Sequence, residues 1–76
     1  MVTAYILVQC APGVPQVSTE ISDIRGVVSA EDVSGPYDVI VRAEARSLDE
    51  LAQKIMVPIQ GIPGVTRTLT CPIPGA

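Results

Sequence analysis

From Val2 to Cys10 the chain alternates only in part: Ala4, Ile6 and Val8 fall on one side, Thr3, Tyr5 and Leu7 on the other. Apolar residues on both sides predict a central strand, covered on both faces. Pro12, Gly13 and Pro15 interrupt it. Over 15–25 the period changes. Val17, Ile21 and Ile24 stand at i, i+4 and i+7, the single apolar stripe of a helix. Pro15 suits its first turn and Gly26 its end. Residues 27–33 alternate imperfectly and predict an edge strand or a bulge. Ser34-Gly35-Pro36 turns the chain. Residues 37–45 then alternate well, with Tyr37, Val39, Val41, Ala43 and Ala45 against Asp38, Ile40, Arg42 and Glu44. Two strands so connected predict an antiparallel hairpin.

Ser47 and Glu50 form a capping box. It opens a second helix with Leu48, Leu51, Ile55 and Ile59 at helical spacing. Pro58 predicts a kink or an early end, because proline lacks the N–H that a helix interior needs. Residues 65–71, VTRTLTC, read as a last strand closed by Pro72 and Pro74. The order is β-α-β-β-α-β. A weak repeat supports two halves: Gly26-Val27 and, 38 residues on, Gly64-Val65 each lead into a strand. The expected fold is α+β, a ferredoxin-like βαββαβ plait. Its antiparallel sheet runs in the order 4-1-3-2, with both helices on one face. A single domain over 1–76 is expected.

That topology leaves one sheet face uncovered, and composition sharpens the point. Hydrophobic residues make up 47% and mean hydropathy is +0.41. A chain of 76 residues buries a modest fraction of its surface. The apolar excess therefore predicts a homo-oligomer, with the open face as an interface.

Charge and residue types narrow the function. Net charge is −3 and the five basic residues are scattered along the sequence, which argues against direct nucleic-acid binding. No apolar run is long enough to span a membrane. AYILV near the start lacks a leader's basic flank and cleavage site, so a cytoplasmic location is expected. The chain has no histidine, and no residues at metal-ligand spacing; neither metal nor cofactor is expected. Cys10 and Cys71 end neighbouring antiparallel strands at opposite ends of the sheet. They would lie roughly 20 Å apart, too far for a disulfide.

No enzyme motif is present. Serines lack a histidine partner, and the adjacent Glu31 and Asp32 point to opposite faces of a strand. Two features remain. Gly35-Pro36-Tyr37-Asp38 reads as a hairpin turn whose Asp accepts a backbone N–H, or as the wall of a small-molecule site. Thr66, Thr68 and Thr70 read as strand formers, or as a row of hydroxyls for a polar ligand.

These pieces together resemble the C-terminal ligand-binding domain of the Lrp/AsnC family, the feast/famine regulators of amino-acid metabolism. The resemblance rests on AYILVQCAPG at 4–13, VVSAEDVSGPYDVIVRAEA at 27–45, LDEL at 48–51 and IQGIPGVTRTLTC at 59–71. It implies a dimeric α/β-barrel, with two chains packed sheet to sheet and dimers joined into rings, commonly octamers. A small effector, typically an amino acid, would bind between dimers. Carried over, Gly35, Tyr37 and Asp38 line that site, with Thr68 and Thr70 as polar partners and Asp38 receiving an α-ammonium. Full-length members carry a helix-turn-helix domain, which this sequence is not expected to contain. The resemblance is to the stand-alone form, so regulation would be indirect, with full-length relatives as potential partners. The alternatives are a small cofactor-free enzyme using Tyr37 and Asp38 as acid and base, and an assembly-modulating partner of full-length regulators.

Overall fold

The computed structural model describes residues 1–75; Ala76, the last residue of the expected domain, lies outside the described residues. Strands β1 (Val2–Cys10), β2 (Val27–Asp32), β3 (Val39–Ala45) and β4 (Val65–Pro72) form one antiparallel sheet. Its order is β2-β3-β1-β4, the predicted 4-1-3-2 read from the other edge. Helix α1 (Val17–Ser22) joins β1 to β2. A helical arm joins β3 to β4, as α2 (Leu48–Leu51), a π-helical segment (Ala52–Met56) and α3 (Val57–Gln60).

The core lies between the sheet and these helices. Ala4, Ile6 and Val8 of β1 and Val39, Val41, Ala43 and Ala45 of β3 are buried against Val17 and Ile21 of α1 and Leu51, Ile55 and Ile59 of the arm. The alternation read over 37–45 is the observed burial alternation of β3 from Val39 onward. Each fully buried Ile or Val contributes about 1.5–3 kcal/mol by leaving water. That burial, more than helix propensity, holds the short α1 in place.

The two halves repeat in detail. Ile24 N–H donates to Ile21 O and Val27 N–H to Ile24 O; 38 positions on, Ile62 N–H donates to Ile59 O and Val65 N–H to Ile62 O. Gly26 and Gly64 take φ of 99° and 98°, a region L side chains avoid. Both also allow close packing: a Cβ on Gly64 would stand 2.5 Å from Val14 Cγ1, and one on Gly26 2.8 Å from Ile55 Cδ1.

Three local expectations are corrected. The first helix spans Val17–Ser22, not 15–25. Gln16, at φ 64°, is left-handed and holds the N-cap position, so the helix cannot begin at Pro15. Leu48 is exposed although its spacing fits the buried stripe. Pro58 does not bring the early end that is one of its two expected effects. A π segment precedes it and the helix continues to Gln60. The wider turn relieves the clash and the lost hydrogen bond that proline imposes on α-helical spacing. The expected irregularity in β2 is real: its register with β3 shifts between Val27 and Ser29, leaving Val28 out of the ladder and 56% exposed.

The face away from the helices is open. Ile40, Leu7 and Leu69 pair across β3, β1 and β4, and Arg42, Tyr5 and Cys71 form the next row but one. Tyr5, Ile40 and Leu69 are 40%, 37% and 47% exposed. Arg42 stacks over the Tyr5 ring at 5.4 Å and donates to its hydroxyl at 2.9 Å. Cys71 lies opposite Tyr5 and Cys10 opposite Val65, and both thiols are free. Five residues along β1 separate the two positions, about 17 Å. Among the described residues, no helix is long and apolar enough to cross a membrane.

Candidate ligand-binding site

At the far end of β1 the chain leaves the sheet through Ala11–Gln16 and returns as α1. The β2–β3 connection, residues 33–38, comes back beside it. Asp38 ties the two together. Its backbone N–H donates to Val8 O at 2.9 Å, and its Oδ2 accepts the Cys10 N–H at 2.7 Å. Val33 N–H donates to Asp38 O at 2.9 Å, which closes the connection into a loop. Gln9 Nε2 reaches Pro36 O at 3.2 Å. Thus Pro12-Gly13-Val14, which the pattern marks only as a break, forms one wall. Asp38 anchors the other.

Between them lies a groove of about 330 Å³ lined by Cys10, Val14, Gln16, Val17, Asp32 and Asp38, among others. Its charged lining is acidic only. Asp32 Oδ2 accepts the Ser18 hydroxyl at 3.1 Å, which fixes one carboxylate against α1. The Cys10 thiol, half-buried between them, is pushed above its ordinary pKa by burial and then by the negative charges of Asp38 and Asp32. Burial disfavours any charge there, but the field of the two carboxylates, taken alone, favours a cation over an anion.

The other sequence candidates separate. Gly35 sits at the exposed loop tip, with open space where a side chain would start. Tyr37 is half-buried beside Asp38 in the loop. Thr68 and Thr70 pair with Val8 and Ile6 and lie on the helix side of β4. Val39, next to Asp38, pairs with the same Val8. Two strand spacings, about 10 Å, therefore separate the Asp38 end from Thr68. Thr68 Oγ1 accepts Gln60 Nε2 at 3.2 Å, and the Thr70 hydroxyl donates to Met56 Sδ at 3.2 Å. Thr66 does not continue the row. The β1–β4 register shifts at Gln9/Cys10, and the Thr66 hydroxyl turns to Gln9 O at 3.1 Å. Thr66 and Thr68, with Gln60, Val65 and Arg67, line a second cavity of about 210 Å³ at the β4 edge. The polar candidates thus fall in two separate places, Asp38 at the groove and Thr68 at the β4-edge cavity. Among the described residues, no three His, Cys, Asp or Glu side chains group as metal ligands.

Residues 3–73 match the model of the Lrp/AsnC ligand-binding domain. The chain belongs to that family. The resemblance carried by its sequence segments is therefore real over nearly the whole length, and the domain is of a regulatory, ligand-binding kind. TTHA0845 from Thermus thermophilus superposes with a TM-score of 0.91 at 27% identity, over 100% of this chain and 96% of that one. FFRP-DM1 superposes at 0.87 with 35% identity, over 96% and 99%. The homocitrate synthase of Sulfurisphaera tokodaii is 38% identical over 71 residues, 91% of this chain but 15% of the enzyme. The chain spans about 15% of the length of the curated relatives it matches, so their likeness is to one segment of a much larger protein.

Proposed function

We propose that the domain binds a small effector bearing an ammonium group, an amino acid being the simplest, and that an oligomer completes the site. The carrying observation is the groove beside β1, whose charged lining is Asp32 and Asp38 with no cation. Asp38 Oδ2 is committed to the Cys10 N–H. A carboxylate has further acceptor sites, so Asp38 can hold the loop and receive an ammonium at once. In this reading Tyr37 and Gly35 border the approach to the groove. Thr68 and Thr70, on the far side of the sheet order, offer hydroxyls from a neighbouring protomer. The open face with Tyr5, Leu7, Ile40 and Leu69 supplies the dimer contact, and dimers assemble further. The role is regulatory rather than catalytic, through assembly with itself or with relatives that bind DNA.

A thermal-shift screen of the twenty amino acids tests this. The expected result is a concentration-dependent rise in Tm for a small subset. A flat response across the panel, with the protein folded and oligomeric, removes the amino-acid reading. It leaves assembly as the domain's task.

A further inference from the structure

The five basic residues are scattered in sequence, but the fold gathers three of them. Arg25, Arg46 and Lys54 line one cavity of about 270 Å³. Arg25 closes the turn before β2, Arg46 follows β3 and Lys54 lies in the π segment, so three separate elements converge. The cavity is distinct from the groove at Asp38. That residue precedes β3 and Arg46 follows it, so the seven residues of β3, about 23 Å, lie between.

The backbone under the cations is fixed. Glu44 N–H donates to Gly26 O at 2.8 Å, which clamps the segment after Arg25 to β3. Arg46 N–H donates to Glu50 Oε1 at 3.2 Å, and Ser47 Oγ accepts the Glu50 N–H at 3.1 Å. The apolar lining, Ala45 and Ile55, belongs to the buried core. Placing three like charges around one cavity is unfavourable unless something negative offsets them. Glu44 and Glu50 line it too and offset two of the three, so one positive charge remains in excess. A small excess in a small cavity suits a small anion, not the phosphate backbone of a nucleic acid.

We infer that this cavity is a second binding site, for a small organic anion with a carboxylate or phosphate head. Two guanidinium groups present planar forks that match either head, and Lys54 adds a point charge. The test is an amide-resolved NMR titration at low salt, where such contacts are least screened. Citrate serves as the carboxylate probe and inorganic phosphate as the phosphate probe. Saturable shifts at Gly26, Ala45 and Ile55 are expected with at least one probe, and which probe binds identifies the head group. Arg25→Gln and Lys54→Gln should each weaken binding about tenfold, the loss of a charged contact worth about 1.4 kcal/mol. Arg67→Gln, on β4, should not. No saturable shift with either probe would overturn the inference. So would an Arg67→Gln effect equal to that of Arg25→Gln, which would mean a response to net charge alone.

Discussion

The Asp38 carboxylate receives the backbone N–H of Cys10 at 2.7 Å, across 28 residues of chain. This bond joins the β2–β3 connection to the end of β1 at the point where the chain departs for α1. Asp38→Ala should remove that exposed bond, water taking the acceptor's place, and cost about 0.5–1.5 kcal/mol. Asp38→Asn keeps an acceptor oxygen and should cost less. Urea denaturation of the three proteins checks the order.

The same carboxylate adds to what burial does to its neighbour's thiol. Burial, Asp38 and Asp32 all raise the Cys10 pKa, whereas Cys71 is exposed on the far side of the sheet. A thiol whose folded pKa lies above its unfolded one favours the folded state below the unfolded value. That contribution is lost as pH rises through the folded one. Iodoacetamide should therefore label Cys10 slowly at mildly alkaline pH, read by mass spectrometry of its peptide. Asp38→Asn removes a negative charge and should speed labelling of Cys10. An unchanged rate would deny the coupling.

Gly64 combines a φ of 98° with contact against Val14. Gly64→Ala should destabilise by about 1–3 kcal/mol, from backbone strain and overpacking together. Adding Val14→Ala should recover the packing part and leave the strain, so rescue should be partial. Full rescue would show that the backbone is not strained there.

The open sheet face gives a prediction about assembly. Leu69 is 47% exposed and pairs with Leu7 in the row that reaches Ile40. Leu69→Asp should change the stability of one chain little, because the side chain already meets water. Across a sheet-to-sheet contact it would bury a charge, and the oligomer should dissociate. Light scattering of both proteins decides it. A wild type that is already monomeric would contradict the interface.

The strand order, the helix face of the sheet and the Ser47 cap were legible in the sequence, although Glu50 returns to the Arg46 N–H and not to that of Ser47. Each rests on a periodicity or a spacing: alternation from Val39 to Ala45, Ser47 three residues before Glu50, Gly26 and Gly64 at a fixed offset. What was not legible depends on backbone geometry with no residue signature. Gln16 is not a residue type that marks a left-handed turn, so the late start of α1 was hidden. The bulge that turns Thr66 out of the threonine row arises from pairing with β1, which the strand's own sequence does not reveal. Of the candidate site, Asp38 was recognisable as a loop carboxylate. In the opposite wall, Pro12 and Gly13 were read only as a break, because they mark a loop without saying what it encloses, and Gln16 was placed inside the first helix. Thr68 and Thr70 were recognised as polar, but Thr68 stands about 10 Å from the Asp38 end of the sheet and Thr70 farther, a separation that only the register discloses.

The account rests on Asp38 receiving an ammonium group. Calorimetry of the strongest amino-acid hit against its N-acetyl derivative, with the wild type and Asp38→Asn, tests this most directly. The wild type should bind the free amino acid at least about tenfold more tightly than the acetylated one, the worth of a charge-assisted hydrogen bond. Asp38→Asn should erase most of that preference. Equal affinity for the two ligands in the wild type, or an undiminished preference in Asp38→Asn, would contradict it.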